Sequence, residues 1–214
     1  MQGIPLNERK RLGALLDDRP QTEVMAMIPQ FSQAETDNFV APPAQIPEAL
    51  GVLMFNMERG VNLPEIQEFL RDCPDIQPFD VILANELDDG CARSGNKNTA
   101  RELAQAFGLN YAWGLEFIEL VNDENAKGFH GNAVFSRWPI RRAGVIRLPE
   151  QYNWYFDRQK RIGGRLAVFA ELDVGGQPVG AVSIHLENRT HGEGRKAQMA
   201  AILEAVRKAV SYTH

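Results

Sequence analysis

Cysteine is scarce in this sequence. Cys73 and Cys91 are the two present in 214 residues, too few for a disulfide framework. With no C-x-x-C and no histidine beside them, neither has zinc-site spacing. Histidine is scarce too: the four residues are scattered with no H-x-H pair, which argues against a metal site built on histidine clusters. No apolar run is long enough to span a bilayer, and the N-terminal MQGIPLNERKRLGALL places charges where a secretion signal needs an apolar stretch. The expectation is a cytoplasmic protein without a stable membrane anchor, so the Asn188-Arg189-Thr190 triplet is not read as a glycosylation site. Positive charge is not in excess either. The 23 Lys+Arg against 28 Asp+Glu give a net charge of −5, which disfavours a protein that grips a long duplex through many phosphates. G-x-S-x-G, the P-loop, G-x-G-x-x-G and H-E-x-x-H are all absent. What is there is ordinary for a globular chain: 44% hydrophobic and 24% charged residues, with length for one domain, or one domain plus an extension.

Residues 1–48 read as a polar, proline-containing extension, with a short helix from Asn7 to Leu16 and irregular chain from Ala41 to Pro47. From residue 49 to 214 the pattern is that of a folded domain. Gly51 to Asn56 and Phe79 to Glu86 are short apolar runs that end in a polar residue, as buried strands delivering a side chain to a site would. Tyr111–Val121, Gly131–Ser136, Arg165–Val174 and Val179–His185 also read as strands, the last two joined by a turn at Gly175-Gly176. Pro64–Arg71 and Asn98–Phe107 read as helices, the second stopped by Gly108. Glu193–Val210 predicts an amphipathic helix with Met199, Ile202, Leu203, Val206 and Val210 on its apolar stripe. Strands dominate and short links join them, so the expected class is α+β, a β-sandwich flanked by helices.

The chemistry sits where buried strands end in polar residues: Asn56, Glu86 and His185. A carboxylate at the end of a buried strand must be neutralised or satisfied. Mg²⁺, which takes one or two carboxylates together with water and substrate phosphate, is one way to do so. His130 and His191, each beside a glycine, read as loop residues, and His214 is given no role. The aromatics Tyr152, Trp154, Tyr155 and Phe156 read as a loop over the sandwich, with stacking on a base or headgroup as the alternative.

Phe55-Asn56-Met57, then Phe79-Asp80-Val81-Ile82-Leu83-Ala84-Asn85-Glu86, then Gly131-Asn132-Ala133-Val134-Phe135-Ser136-Arg137-Trp138-Pro139-Ile140, then Ser183-Ile184-His185-Leu186-Glu187-Asn188 follow one another in the chain. In that order they resemble the successive signatures of the endonuclease/exonuclease/phosphatase family, over about Gly51 to Val210. The family includes DNase I-like nucleases, apurinic endonucleases, inositol-polyphosphate phosphatases, sphingomyelinases and deadenylases. The resemblance implies a DNase I-like, four-layered α/β/β/α sandwich and Mg²⁺- or Mn²⁺-assisted hydrolysis of a phosphoester. The substrate class stays open between nucleic acid, phospholipid and small phosphate ester.

Carried over by position, the resemblance implies that Glu86 is the metal ligand, with Asn56 beside it orienting metal or phosphate. His185 contacts the scissile phosphate and moves a proton, and Glu116 pairs with that histidine. Arg165 contacts phosphate, although Arg161 could take that place. Asn85 stands where the family usually has Gln. After its His-Leu pair the family continues through a helix to a strand ending in Gly-Asp-Phe-Asn and a late Asp-His pair. Here the acidic residues beyond His185 are Glu187, Glu193 and Glu204, with no aspartate. The expectation is therefore a domain truncated at its C-terminal end and inactive or poorly active alone. Its uncovered surface would be met by a homo-oligomer or a complementing chain. The alternative is a non-catalytic sandwich that acts as a binding or interaction protein.

Overall fold

The computed structural model describes residues 1–211, with the side chains of Val210 and Ser211 excepted; His214 and the Val210 side chain lie outside the described residues. The chain opens with α1 (Leu6–Ala14), α2 (Gln21–Ala26) and β1 (Ala34–Asp37). Then come β2 (Val52–Arg59), α3 (Leu63–Asp72), β3 (Val81–Asp89), α4 (Thr99–Phe107) and β4 (Asn110–Glu119). β5 (Phe129–Ser136), β6 (Ile140–Arg147), β7 (Arg161–Gly163), β8 (Leu166–Val174), β9 (Gln177–Ile184) and α5 (Gly192–Ser211) complete it.

The strands form two sheets. The larger has the order β1-β4-β5-β3-β2, with β7 added to the far end of β4; the smaller is β6-β8-β9. β2 and β3 run parallel and the other pairs antiparallel. Alternation sorts side chains to two sides of the larger sheet. Ile82, Ala84, Trp113, Leu115, Ala133 and Phe135 join a core with Leu63 and Leu70 of α3 and Leu103 of α4. Val81, Ala112 and Val134 instead meet Leu166, Val168 and Ala170 of the smaller sheet. Gly114 also faces that side, where a Cβ would stand 2.9 Å from Val145 and 3.0 Å from Val168, so its missing side chain lets the sheets approach. On the outer side of the smaller sheet Ile202, Met199 and Val206 of α5 cover Ala167, Ile146 and Val182. Helices, sheet, sheet, helix are four layers, the mixed α+β arrangement that a DNase I-like sandwich has.

Local chemistry accounts for several elements. Asn98 caps α4 by accepting from Arg101 N at 2.9 Å, and Gly108 closes it in the left-handed region at φ 58°. The β8–β9 hairpin turns through Gly175 and Gly176, both at positive φ, as a tight two-residue turn requires. Leu203, placed on the stripe of α5 by periodicity, is 50% exposed and lies off the buried face.

The boundary drawn at residues 48/49 does not coincide with a break in packing. Leu12, Leu16, Val24, Ile28 and Phe31 are buried in the same core as α3 and α4, and β1 pairs with β4. Arg9 donates to Lys127 O at 2.8 Å and Asn125 O at 2.7 Å. Arg147 donates to Phe31 O, Gly164 O and Leu115 O. The first 48 residues therefore form one wall of the sandwich, apart from the irregular stretch around Pro42, Pro43 and Pro47.

One side of the larger sheet is open. Val52 and Met54, register partners of Val81 and Leu83, share their inter-sheet direction, yet are 56% and 74% exposed.

Candidate active site

Three backbone irregularities occur side by side. Between Ala84 and Leu87, β3 carries one residue more than β5, which places Asn85 and Glu86 opposite Asn132. Between Leu115 and Phe117, β4 carries an extra residue, Glu116. Between Asn56 and Arg59, β2 carries one residue more than β3. Such bulges turn a side chain out of the regular alternation. Here two of them present carboxylates that strict alternation would direct elsewhere. Glu86 sits at φ 59°, costly for a residue with a Cβ, and Asn132 Oδ1 holds it there by accepting from Glu86 N at 3.0 Å.

His185 follows the last residue of β9 and comes from the smaller sheet. Its Nε2 is 3.8 Å from Glu86 Oε1, and its Nδ1 is 3.6 Å from Glu116 Oε2. Arg165 NH1 is nearer, 3.0 Å from Nδ1, and 3.1 Å from Glu116 Oε1. At those distances Arg165 donates the hydrogen bond that Nδ1 accepts, which leaves the proton of the neutral ring on Nε2, facing Glu86. Glu116 Oε2 is then a buried acceptor without a hydrogen bond. It lies between two imidazoles, since His130 Nε2 is 3.7 Å away on the other side.

His130 is not a loop residue. It belongs to β5, is 2% exposed, and its Nδ1 is 2.9 Å from Asp88 Oδ1. Asp88 also accepts from Arg93 at 2.7 and 2.8 Å and from Ser94 at 3.2 Å. Asp88, His130, Glu116, His185 and Glu86 thus alternate acid and imidazole from the interior to the cavity. Trp154 and Glu187 also belong here: the indole donates to Glu187 Oε2 at 2.8 Å, and Arg165 Nε lies 3.4 Å from the same oxygen. The Arg165 guanidinium stacks over the Trp154 ring at 5.3 Å. Of the aromatic group, Trp154 and Tyr155 are buried and Phe156 is 68% exposed. His191 is exposed.

Asn56 is exposed, and its Oδ1 accepts from Glu58 N at 2.9 Å, so the amide oxygen is committed to its own turn. It lies opposite Asn85 in the β2–β3 register, one strand from Glu86.

Glu86, His130, Trp154, Arg161 and Arg165 line a polar cavity of about 230 Å³. A larger and mainly apolar cavity of about 550 Å³ lies under Met25, Ile28 and Phe31, with Arg165 on the wall of both. Among the described residues no group of three or more His, Cys, Asp or Glu side chains is arranged to hold a metal. Glu86 nevertheless offers one hard carboxylate, whose oxygens take no hydrogen bond from any of the described residues. That fits Mg²⁺ held by one carboxylate with water and phosphate, and does not fit an all-protein cage. Among the described residues no helix is long and apolar enough to cross a membrane.

Burial alone would push the Glu116 carboxyl up. The Arg165 charge and the two histidines outweigh it and hold it at about 2, against an ordinary 4.5. Burial would likewise raise Asp88, and hydrogen bonds from Arg93 and His130 hold it at about 2, against 3.8. Both folded values lie below the unfolded ones, so both groups stabilise the fold fully above about pH 4.5, and that contribution is lost as pH falls towards 2. The melting temperature should drop through that window, and Glu116→Gln should flatten the drop. An equally steep fall in the variant would remove Glu116 as a source.

No protein-family profile matches the sequence, and no curated protein matches it. Among solved structures the chain is similar to an endonuclease/exonuclease/phosphatase family protein from Leptotrichia buccalis C-1013-b. The identity is 20% and the TM-score 0.48, over 73% of this chain and 63% of that one. It is also similar to the crystal structure of SmcL, at 12% identity and a TM-score of 0.46, over 78% of this chain and 59% of that one. The chain spans about three-fifths of the length of these structures. The first of them bears the name of the family whose motifs the sequence resembles.

Proposed function

We propose that this chain carries the site of a metal-assisted phosphoester hydrolase of the endonuclease/exonuclease/phosphatase type. The observation that carries the reading is the convergence of Glu86, Glu116 and His185 from β3, β4 and the end of β9, with Glu86 on the wall of an arginine-lined cavity. Glu86 would hold Mg²⁺ or Mn²⁺, with Asn56 and its free amide donor nearby; the ion would supply polarisation of a phosphoryl oxygen.

The chain's own residues do the rest. In the tautomer fixed by Arg165, His185 Nε2–H is a hydrogen-bond donor towards a phosphoryl oxygen. When Nδ1 carries the proton instead, it turns to Glu116 Oε2, the acceptor without a partner, and the bare Nε2 takes a proton from attacking water. The imidazolium so formed is stabilised by the Glu116 carboxylate and gives that proton to the leaving oxygen. Arg165 holds Glu116 in place in both tautomers, and its guanidinium adds positive charge beside the phosphate.

The test follows nitrophenolate release from bis-p-nitrophenyl phosphate with Mg²⁺ or Mn²⁺. Release by this chain alone should be slow, require the metal and be lost in Glu86→Gln, and Mn²⁺ should raise the melting temperature of the wild type but not of the variant. Equal rates with EDTA, or an equal thermal response in both proteins, would count against Glu86 as the ligand.

The open side of β2 supports a second reading, in which the sandwich binds a second copy or a complementing chain. Val52 and Met54 expose an apolar strand face of the kind proteins usually cover. Sedimentation across a concentration series decides this, since a monomer at every concentration and no saturable partner would exclude it.

A further inference from the structure

We infer that the cavity beside Glu86 and His185 binds a second anionic group next to the phosphate being cleaved, through Arg59 and Arg161, so that its preferred substrates carry two adjacent phosphates. The inference rests on the hydrolase reading for which of the two anions is cleaved.

Four guanidiniums line this cavity, those of Arg59, Arg161, Arg165 and Arg189, against two carboxylates, Glu86 and Asp157. Their commitments differ. Arg165 is occupied by Glu116 and Glu187. Arg189 is 55% exposed in its side chain and stands 3.6 Å from Asp157. Arg161 is buried, with its Nε 3.1 Å from Glu119 Oε1 in poor hydrogen-bond geometry, while its NH2 donates to Gln159 Oε1 and its guanidinium lies over the Trp154 ring. The side chain of Arg59 has no ion pair or hydrogen bond with any described residue, although its backbone pairs with Leu87 in the β2–β3 ladder.

Arg59 is half-buried on the bulged end of β2 at φ 68°, and it bears on Arg161 as a like charge. Two guanidiniums line one cavity, and although Glu119 sits behind Arg161, the side chain of Arg59 has no counter-charge among the described residues, so an anion between them relieves their repulsion. Phosphate suits that place, because the planar donor fork of arginine matches its oxygens two at a time. A diester linkage brings a single negative charge. The scissile group faces Glu86, His185 and Arg165, which leaves Arg59 and Arg161 for a neighbouring phosphate. The volume of about 230 Å³ suits compact groups and not a length of duplex, in keeping with the net charge of −5.

The experiment is calorimetric titration of the 214-residue chain in EDTA with inorganic phosphate and with inorganic pyrophosphate. The proteins are wild type, Arg59→Gln, Arg59→Lys and Arg141→Gln, the last a surface arginine elsewhere that pairs with Asp173. Wild type should bind pyrophosphate about tenfold more tightly than phosphate, or better. Arg59→Gln should bring that ratio close to one, with little change in melting temperature because no protein partner is lost. Arg59→Lys should keep part of the preference, and Arg141→Gln all of it.

Equal affinity for the two anions in wild type overturns the inference. So does a preference that survives Arg59→Gln, or one that Arg141→Gln removes equally. Diester hydrolysis is scored separately. Cleavage with no pyrophosphate preference refutes the second subsite alone, whereas Arg59-dependent preference in a chain whose Mn²⁺ response is the same with and without Glu86 supports the subsite and counts against the hydrolase reading.

Discussion

Replacing Arg165 by Met should cost about 3–5 kcal/mol of stability, the usual penalty for removing one partner from a buried ionic cluster. For a chain of this size that is a fall in melting temperature of roughly 6–20 °C. The reason is what would be left behind. Glu116 is fully buried and would keep only the two histidines, neither within hydrogen-bond distance of Oε2. Glu187, 2% exposed, would keep the Trp154 indole and Arg189 N. Arg165→Lys should recover part of the loss, because one ammonium cannot reach both carboxylates with the geometry of a fork. Urea denaturation of the three proteins measures this. A loss under about 1 kcal/mol for the Met variant would mean that the cluster is solvated and contributes as a surface pair does.

His185→Ala should behave in the opposite way. Its ring lies 3.8 Å from Glu86 with 17% of the side chain exposed, outside the three apolar cores. The melting temperature should therefore move little. The rate should fall by about 10²–10⁴-fold, the range for loss of a positioned acid–base group. The measurement is metal-dependent kcat on the nitrophenyl diester, set beside a melting curve for each protein. A destabilised variant with an unchanged kcat would make His185 a structural residue. Glu116→Gln should lower kcat by a smaller factor, because its neutral amide leaves the imidazolium without a counter-charge.

The fold is legible in the sequence where apolar periodicity is strong and hidden where pairing is made by backbone alone. β3, β5 and β8 are fully or nearly fully buried runs, and α4 has both its cap and its stop in the sequence. β1 is four mostly polar residues, β7 is three, and β6 carries three arginines and a glycine. None of them has a pattern that separates it from a loop. The N-terminal segment misleads because its buried residues are spaced over several short helices whose mean composition is polar.

In the site, Glu86 and His185 can be read because each ends an apolar run. Glu116 needs the family resemblance, since a bulge inside a strand leaves no mark on composition. His130 is missed for a related reason. The glycine next to it suggests a loop, whereas Gly131 is needed because a Cβ there would overlap the carbonyl oxygen of Gly114. The histidine's partner Asp88 is paired with Arg93, five residues on, whereas Glu119 and Glu187 are paired while buried with arginines distant in the chain.

Asn85, where the resembling family has the longer Gln, joins the two sheets directly. Its Nδ2 donates to Ile184 O at 3.1 Å, and Ser183 Oγ lies 2.9 Å from Ala84 O and 3.1 Å from Asn85 Oδ1. Across the inner faces the sheets meet mainly through apolar side chains, which resist separation but oppose sliding only weakly, since their attraction has no direction; Arg147 of β6 adds one bond to Leu115 O of β4. The hydrogen bond of the Asn85 amide and the serine proton shared between two acceptors act as a rivet immediately behind the reacting groups, for Glu86 follows Asn85 on one sheet and His185 follows Ile184 on the other. The spacing between carboxylate and imidazole is thereby set by the shear between two layers and not by either strand alone. Shortening or lengthening that one side chain would detune the site while leaving every residue that touches substrate in its own sequence context.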